Sequence, residues 1–198
     1  MGAEFGAEQA ERLLREWTAG ESLVKHGLAV AACTESYGRF EADRMGLVGD
    51  EAARLVERYR CAGLLHDFDY ERHPTPAEHP FVGVQYLREQ GWPEEILHAI
   101  LAHADYSGVV AESHLDRALF ACDELAGFLT ACALVKPSKK IAEVEVAGVK
   151  KKMKDKGFAR AVKREDITQG AELLGIPVEE HIGNCLAAMQ AHAQELGL

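Results

Sequence analysis

The chain has 198 residues, 22 basic and 32 acidic, and a net charge of −10. Apolar residues make up 47% and charged residues 27%, which excludes a disordered or collagen-like chain and predicts one domain over residues 1–198. No apolar run approaches the ~20 residues that a membrane span needs, and the first eleven residues lack the basic and apolar parts of a signal peptide, so a cytoplasmic location is expected.

The pattern predicts helices almost throughout. Leu23, His26, Val30, Cys33 and Tyr37 recur at steps of three and four, so they share one helix face, with Ser22 at the N-cap position. A second helix is expected from about Asp50, carrying Leu55, Tyr59, Ala62 and His66 on one face. A loop rich in proline and histidine follows at residues 73–76. The next helix is expected from about Pro80 to Glu89. Gly91-Trp92-Pro93 closes it and opens another, with Pro93 at the first helical position and Ile96, Ile100 and His103 on one face. A long helix from about Ser113 to Ala133 turns Leu119, Asp123, Ala126 and Thr130 inward. After Pro137 comes a less regular basic stretch, in which Val144 to Val149 is ambiguous between helix and strand. Helices are expected again over Arg164 to Leu174 and Pro177 to Glu195. The fold class is therefore all-α: a helical bundle over 20–135 and a C-terminal helical extension over 136–198.

Charge and cysteines narrow the chemistry. Residues 136–164 hold nine of the ten lysines and two arginines against three acids, a net charge of +8 on an otherwise acidic body. That distribution argues against long nucleic acid, which calls for a broad basic face. It suits a small phosphorylated ligand, or a contact within the fold. The five cysteines form no CxxC pair and read as buried, reduced thiols. No GxSxG, GxxxxGK[ST] or GxGxxG sequence occurs.

His26, His66 and Asp123 each interrupt an apolar stripe on a different helix. Burying one such group is costly unless it finds a partner. One shared cation would satisfy all three. Asp67 follows His66 at a helix end, where the backbone can turn and two neighbouring side chains can converge. Imidazole with carboxylate suits a first-row divalent metal.

These residues resemble the HD-domain superfamily of metal-dependent phosphohydrolases, whose pattern is a histidine, a His-Asp doublet and a distal aspartate. Here they are His26 in LVKHGLAV, His66 and Asp67 in AGLLHDFDYE, and Asp123 in ALFACDELAGF. Members with two metals add two histidines between doublet and distal aspartate. His79 in EHPFVGVQYL and His103 in AILAHADYSG stand at matching places. The layout is similar to that of HD proteins that hydrolyse diadenosine tetraphosphate. It is more similar still to short bacterial and archaeal predicted HD hydrolases, in which phrases such as GLLHDFDYE, HADYSG and VKPSKK recur.

The resemblance implies a phosphohydrolase of the HD fold. It would use one or two divalent ions (Mn, Mg, Fe, Co, Ni or Zn) held by His26, His66, Asp67, His79, His103 and Asp123. Asp67 would position a water activated by the metal against a nucleotide or other small phosphate ester. Lys136 and Lys139 are the expected phosphate contacts. Asp105 either orients His103 or a metal-bound water from behind, or caps a turn. Asp69, two residues past the doublet, does not match the acid that serves as proton shuttle in some single-metal members, and Glu124 is expected to point away from the site. His98 is expected at the surface or behind a ligand, and His73, His114, His181 and His192 are expected to be exposed. Two rival classes stand beside the phosphohydrolase: a non-enzymatic nucleotide sensor with a relic site, and a di-iron oxygenase, which typically needs further histidine or aspartate ligands.

Overall fold

The computed structural model describes residues 5–198. It is all-α, with no strand among the described residues. The helices run in order α1 (Ala7–Trp17), α2 (Glu21–Met45), α3 (Gly49–Leu65), α4 (Phe81–Glu89), α5 (Glu94–His103), α6 (His114–Leu134), α7 (Val146–Met153), α8 (Arg164–Leu174), α9 (Val178–Ala191) and α10 (Ala193–Leu196). Among the described residues, no helix is long and apolar enough to cross a membrane.

The expected helices lie where the apolar spacing placed them, with small shifts at the ends. Glu21 opens α2 behind Gly20, so Ser22 is inside the helix and caps nothing. Pro93 is the N-cap of α5 rather than its first residue. The last expected helix divides at His192 into α9 and α10. Two helices go beyond the expectation. In α1, Ala10, Leu13 and Leu14 fall on one buried face. The ambiguous Val144–Val149 run belongs largely to α7, where Val149 is buried while the lysines face outward.

Local chemistry sets the ends that matter for the site. Ser113 begins α6 with a reciprocal cap: its hydroxyl accepts from the Asp116 N–H, and the Asp116 carboxylate accepts from the Ser113 N–H. That fixes the helix carrying Asp123. Gly46 ends α2 in the left-handed conformation, φ 70°, which glycine adopts without steric cost.

Helices α2 and α6 form the centre of the bundle. Helix α2 packs on α3, α6 and α9, and α6 on α2, α5 and α8. The α2–α3 contact is unusually close. A Cβ on Gly63 would sit 2.5 Å from Ala31 Cα and 2.5 Å from Thr34 Oγ1. The C-terminal helices share the main core: Ile167, Ile182, Cys185 and Met189 are fully buried in the same apolar cluster as Leu64, Leu97 and Leu125. All five cysteines are free and buried, as their apolar neighbours led us to expect. His181 corrects the sequence expectation. It is fully buried, its Nδ1 2.7 Å from the Tyr37 hydroxyl and its Nε2 2.9 Å from the Ala121 carbonyl. Two good partners make burial of an imidazole acceptable, and no spacing rule reveals partners so distant in sequence.

Candidate metal centre

Six side chains from five places in the chain converge between α2, α3, α5 and α6. His26 comes from the first half of α2 and Asp123 from the middle of α6. His66 caps the C-terminal end of α3, and Asp67 follows it. His79 precedes α4, and His103 is the last residue of α5. The end of α3 lets both members of the doublet reach one point, since mid-helix neighbours diverge by about 100°.

Asp67 divides the site in two. Its Oδ1 lies 3.2 Å from His79 Nε2 and 3.4 Å from His103 Nε2. Its Oδ2 lies 3.5 Å from His66 Nε2 and 4.0 Å from His26 Nε2. Asp123 Oδ1 completes the second group, 2.9 Å from His26 Nε2 and 3.5 Å from His66 Nε2. The result is two donor groups, His26-His66-Asp67 and Asp67-His79-His103, with Asp67 common to both.

Three of the four imidazoles are held from behind. His66 Nδ1 faces the Gly63 carbonyl at 2.8 Å, His103 Nδ1 faces the Ile100 carbonyl, and His79 Nδ1 faces Asp69 Oδ1 at 2.7 Å. A carbonyl or carboxylate there places the proton on Nδ1 and leaves the Nε2 lone pair aimed into the site. His66 Nε2 is a buried polar atom with no hydrogen-bond partner. Such an atom is costly unless something occupies the space before it. Nitrogen and carboxylate donors of this kind fit first-row divalent cations.

The electrostatics agree. Burial works against charge on His66, yet the Asp67 and Asp123 carboxylates outweigh it and raise its pKa. Burial also opposes charge on His79, but Asp67 and Asp69 push it up to about 9. For Asp123, burial is again outweighed, by His66 and His26, and the carboxyl is held well below the ordinary range. The buried carboxylates therefore demand positive charge, from protons or from a metal.

A cavity of about 440 Å³ opens above the ligands, walled by Tyr70, Tyr106, Phe120, Glu124 and the segment Ala161–Lys163. Lys163 is the one lysine or arginine lining it among the described residues, and its Nζ lies 3.0 Å from Asp105 Oδ2. Several expectations move accordingly. Lys136 lines a different cavity, beyond the end of α6, and Lys139 lines neither. Asp105 does not orient His103, whose Nδ1 is taken by a carbonyl; it opens a short 3-10 turn and pairs with Lys163. Glu124 lines the cavity instead of pointing away and accepts the Lys163 N–H at 3.1 Å. Burial and then Asp123 push Glu124 up to about 7. His98 stays partly exposed and pairs with Asp116 at 3.0 Å.

Asp69 is the residue that sequence reasoning undervalued. It is 1% exposed and also accepts the Gly83 N–H, at 2.7 Å. Its acid type two residues after the doublet was visible; its contact with a histidine ten residues away was not. The approach depends on Gly83, where a Cβ would meet the Asp69 carboxyl at 2.7 Å.

Comparison with known families matches residues 23–127 to the HD domain, more than half of the chain. No curated protein and no solved structure matches it. All six candidate ligands, His26, His66, Asp67, His79, His103 and Asp123, lie within the matched stretch. This chain belongs to the HD-domain superfamily of metal-dependent phosphohydrolases.

Proposed function

We propose that the chain is a phosphohydrolase acting on a nucleotide or another small phosphate ester, with two divalent cations held in the two donor groups. The observation that supports this most directly is the division of Asp67: one carboxylate oxygen faces His79 and His103 while the other faces His66 and His26. His26, His66, Asp67 and Asp123 would hold one cation, and Asp67, His79 and His103 the other. When bound, such cations supply Lewis acidity toward a phosphoryl oxygen and lower the pKa of a water from 15.7 toward ~7.

The remaining work belongs to the chain. Asp69, Gly63 and Ile100 fix the histidine rings, so no reorganisation is needed when charge develops. Asp67 borders both groups and is placed to orient a nucleophile between them. Lys163 stands at the cavity wall, where its ammonium can meet a phosphate oxygen after leaving Asp105. Glu124, also in the wall, can hold a proton near neutral pH for a leaving oxygen. The aromatic rings of Tyr70, Tyr106 and Phe120 offer apolar surface to the organic part of the ester.

The test is elemental analysis of the purified protein, followed by phosphate release from nucleotides, phosphomonoesters and phosphodiesters with added manganese, magnesium, cobalt or nickel. The reading predicts two equivalents of metal and release that Asp67→Ala abolishes. Bound metal with no turnover across the panel would favour a sensor, and oxygen-dependent substrate loss with tightly held iron would favour an oxygenase.

A further inference from the structure

The basic segment contains a second cavity that the metal centre does not use. It measures about 480 Å³ and is formed by the end of α6, the turn at Val144 and α7. Lys136, Lys151 and Lys152 line it together with Glu145 and Asp155, over an apolar floor of Val144 and Val149. None of its residues lines the metal cavity. Cys132, in its wall, is nine residues beyond Asp123 on α6, about 13 Å along the axis and half a turn around it.

The lysines here are poorly neutralised by the fold. Of the nine in residues 136–164, only Lys150 and Lys163 have a carboxylate partner among the described residues, Glu179 and Asp105. Acidic residues abound elsewhere on this protein, and three of the seven lysines without a carboxylate partner, Lys136, Lys151 and Lys152, line this cavity. Placement at a helix C-terminal end favours all three, Lys151 and Lys152 in the last turn of α7 and Lys136 two residues past Leu134, the end of α6. Lys152 is held in place, its Nζ 4.4 Å from the centre of the Phe158 ring, which packs edge-on against Phe128. In its wall, Val135 is 57% exposed. Lysines around a pocket with apolar floor and wall match a ligand that joins several phosphates to a flat apolar group.

We propose that this cavity is a second binding site, separate from the metal centre, for the polyphosphate of a nucleoside triphosphate, with the base against Val135. Lys136 then contacts phosphate as its residue type suggests, but at this site and not over the metals. The proposal does not depend on the phosphohydrolase reading.

The experiment is calorimetric titration of ATP, inorganic tripolyphosphate and adenosine into the full chain. It is repeated with Lys136→Ala/Lys151→Ala/Lys152→Ala, with the single exposed change Lys151→Glu, and with Asp67→Ala. The expected result is ATP and tripolyphosphate binding to wild type, retained at the lysine cavity in Asp67→Ala, and weakened there about tenfold or more by the triple change and also weakened by Lys151→Glu. Adenosine alone binds far more weakly. Three results would overturn the proposal: no ATP binding to the wild type at millimolar concentration, binding lost in Asp67→Ala, or lysine variants that bind as the wild type does. Retained manganese stoichiometry and circular dichroism show that the lysine variants are folded, and Lys151→Glu decides if the triple variant is not. A failure of the phosphohydrolase reading is seen separately, as absent phosphate release by a protein that still binds ATP at the lysines.

Discussion

Asp69 Oδ1 lies 2.7 Å from His79 Nδ1, while Asp69 Oδ2 accepts the Gly83 N–H at the same distance. The carboxylate ties a ligand before α4 to the first turn of α4 and holds the imidazole with Nε2 toward Asp67. Removing such support behind a metal ligand commonly costs 10–100-fold in affinity. Asp69→Asn should therefore weaken binding at the His79-His103 group by roughly that factor and leave the His26-His66 group close to normal. A manganese titration followed by paramagnetic resonance measures the two steps; equal weakening of both would contradict the division.

Separate donor groups should be separable by mutation. His103→Ala is expected to reduce bound metal from two equivalents to about one, and Asp67→Ala to remove most of both, because its two oxygens serve different groups. Elemental analysis after gel filtration reads the result directly. Two equivalents retained in His103→Ala would show that His103 is not a ligand.

Lys163 lines the metal cavity from outside the stretch that matches the HD domain. In the proposed reaction Lys163→Ala should raise KM about tenfold, ~1.4 kcal/mol, more than it lowers kcat. Steady-state kinetics on whichever nucleotide is cleaved provides the check. An unchanged KM would leave the lysine as a partner of Asp105 only.

His181 carries a stability prediction with a definite sign. Burial lowers its pKa, against a smaller opposite effect from the Ala121 carbonyl. The unfolded chain takes up a proton near pH 6.5, a proton the folded chain refuses until lower pH. Its contribution is thus fully present above about 6.5 and is lost as pH falls toward the depressed folded value. His181→Gln should flatten the fall in urea midpoint between pH 7 and 5, by up to ~1.4 kcal/mol per pH unit. Parallel pH profiles for the two proteins would count against a neutral buried imidazole.

Gly63 tests the close packing of α2 on α3. Gly63→Ala gains about 1 kcal/mol of helix propensity. It also drives a methyl into Ala31 Cα, which is backbone and cannot swing aside. The net expectation is a loss of about 1–3 kcal/mol in urea unfolding. Because the Gly63 carbonyl orients His66, weaker metal binding should accompany it.

The helices and most of the candidate ligands were legible in the sequence because each leaves a local mark. Apolar residues at three and four outlined α2, α3, α5 and α6, and His26 and Asp123 stood out as polar residues on those stripes. The order of these residues along the chain carried the superfamily resemblance. Helix α7 was harder, since three consecutive lysines hide a short amphipathic period, and the buried face of α1 went unread.

What the sequence determined by itself was therefore an all-α chain with a candidate histidine–aspartate ligand set, because helical periodicity and misplaced polar groups are properties of neighbours. Only the tertiary structure decided that Asp67 faces two groups, that Asp69 stands behind His79, that Lys163 and not Lys136 reaches the metal cavity, and that His181 is buried. The reason is physical: each of these depends on how separate segments pack and which atoms then meet, and the distances between segments are not written in the spacing of residues along any one of them.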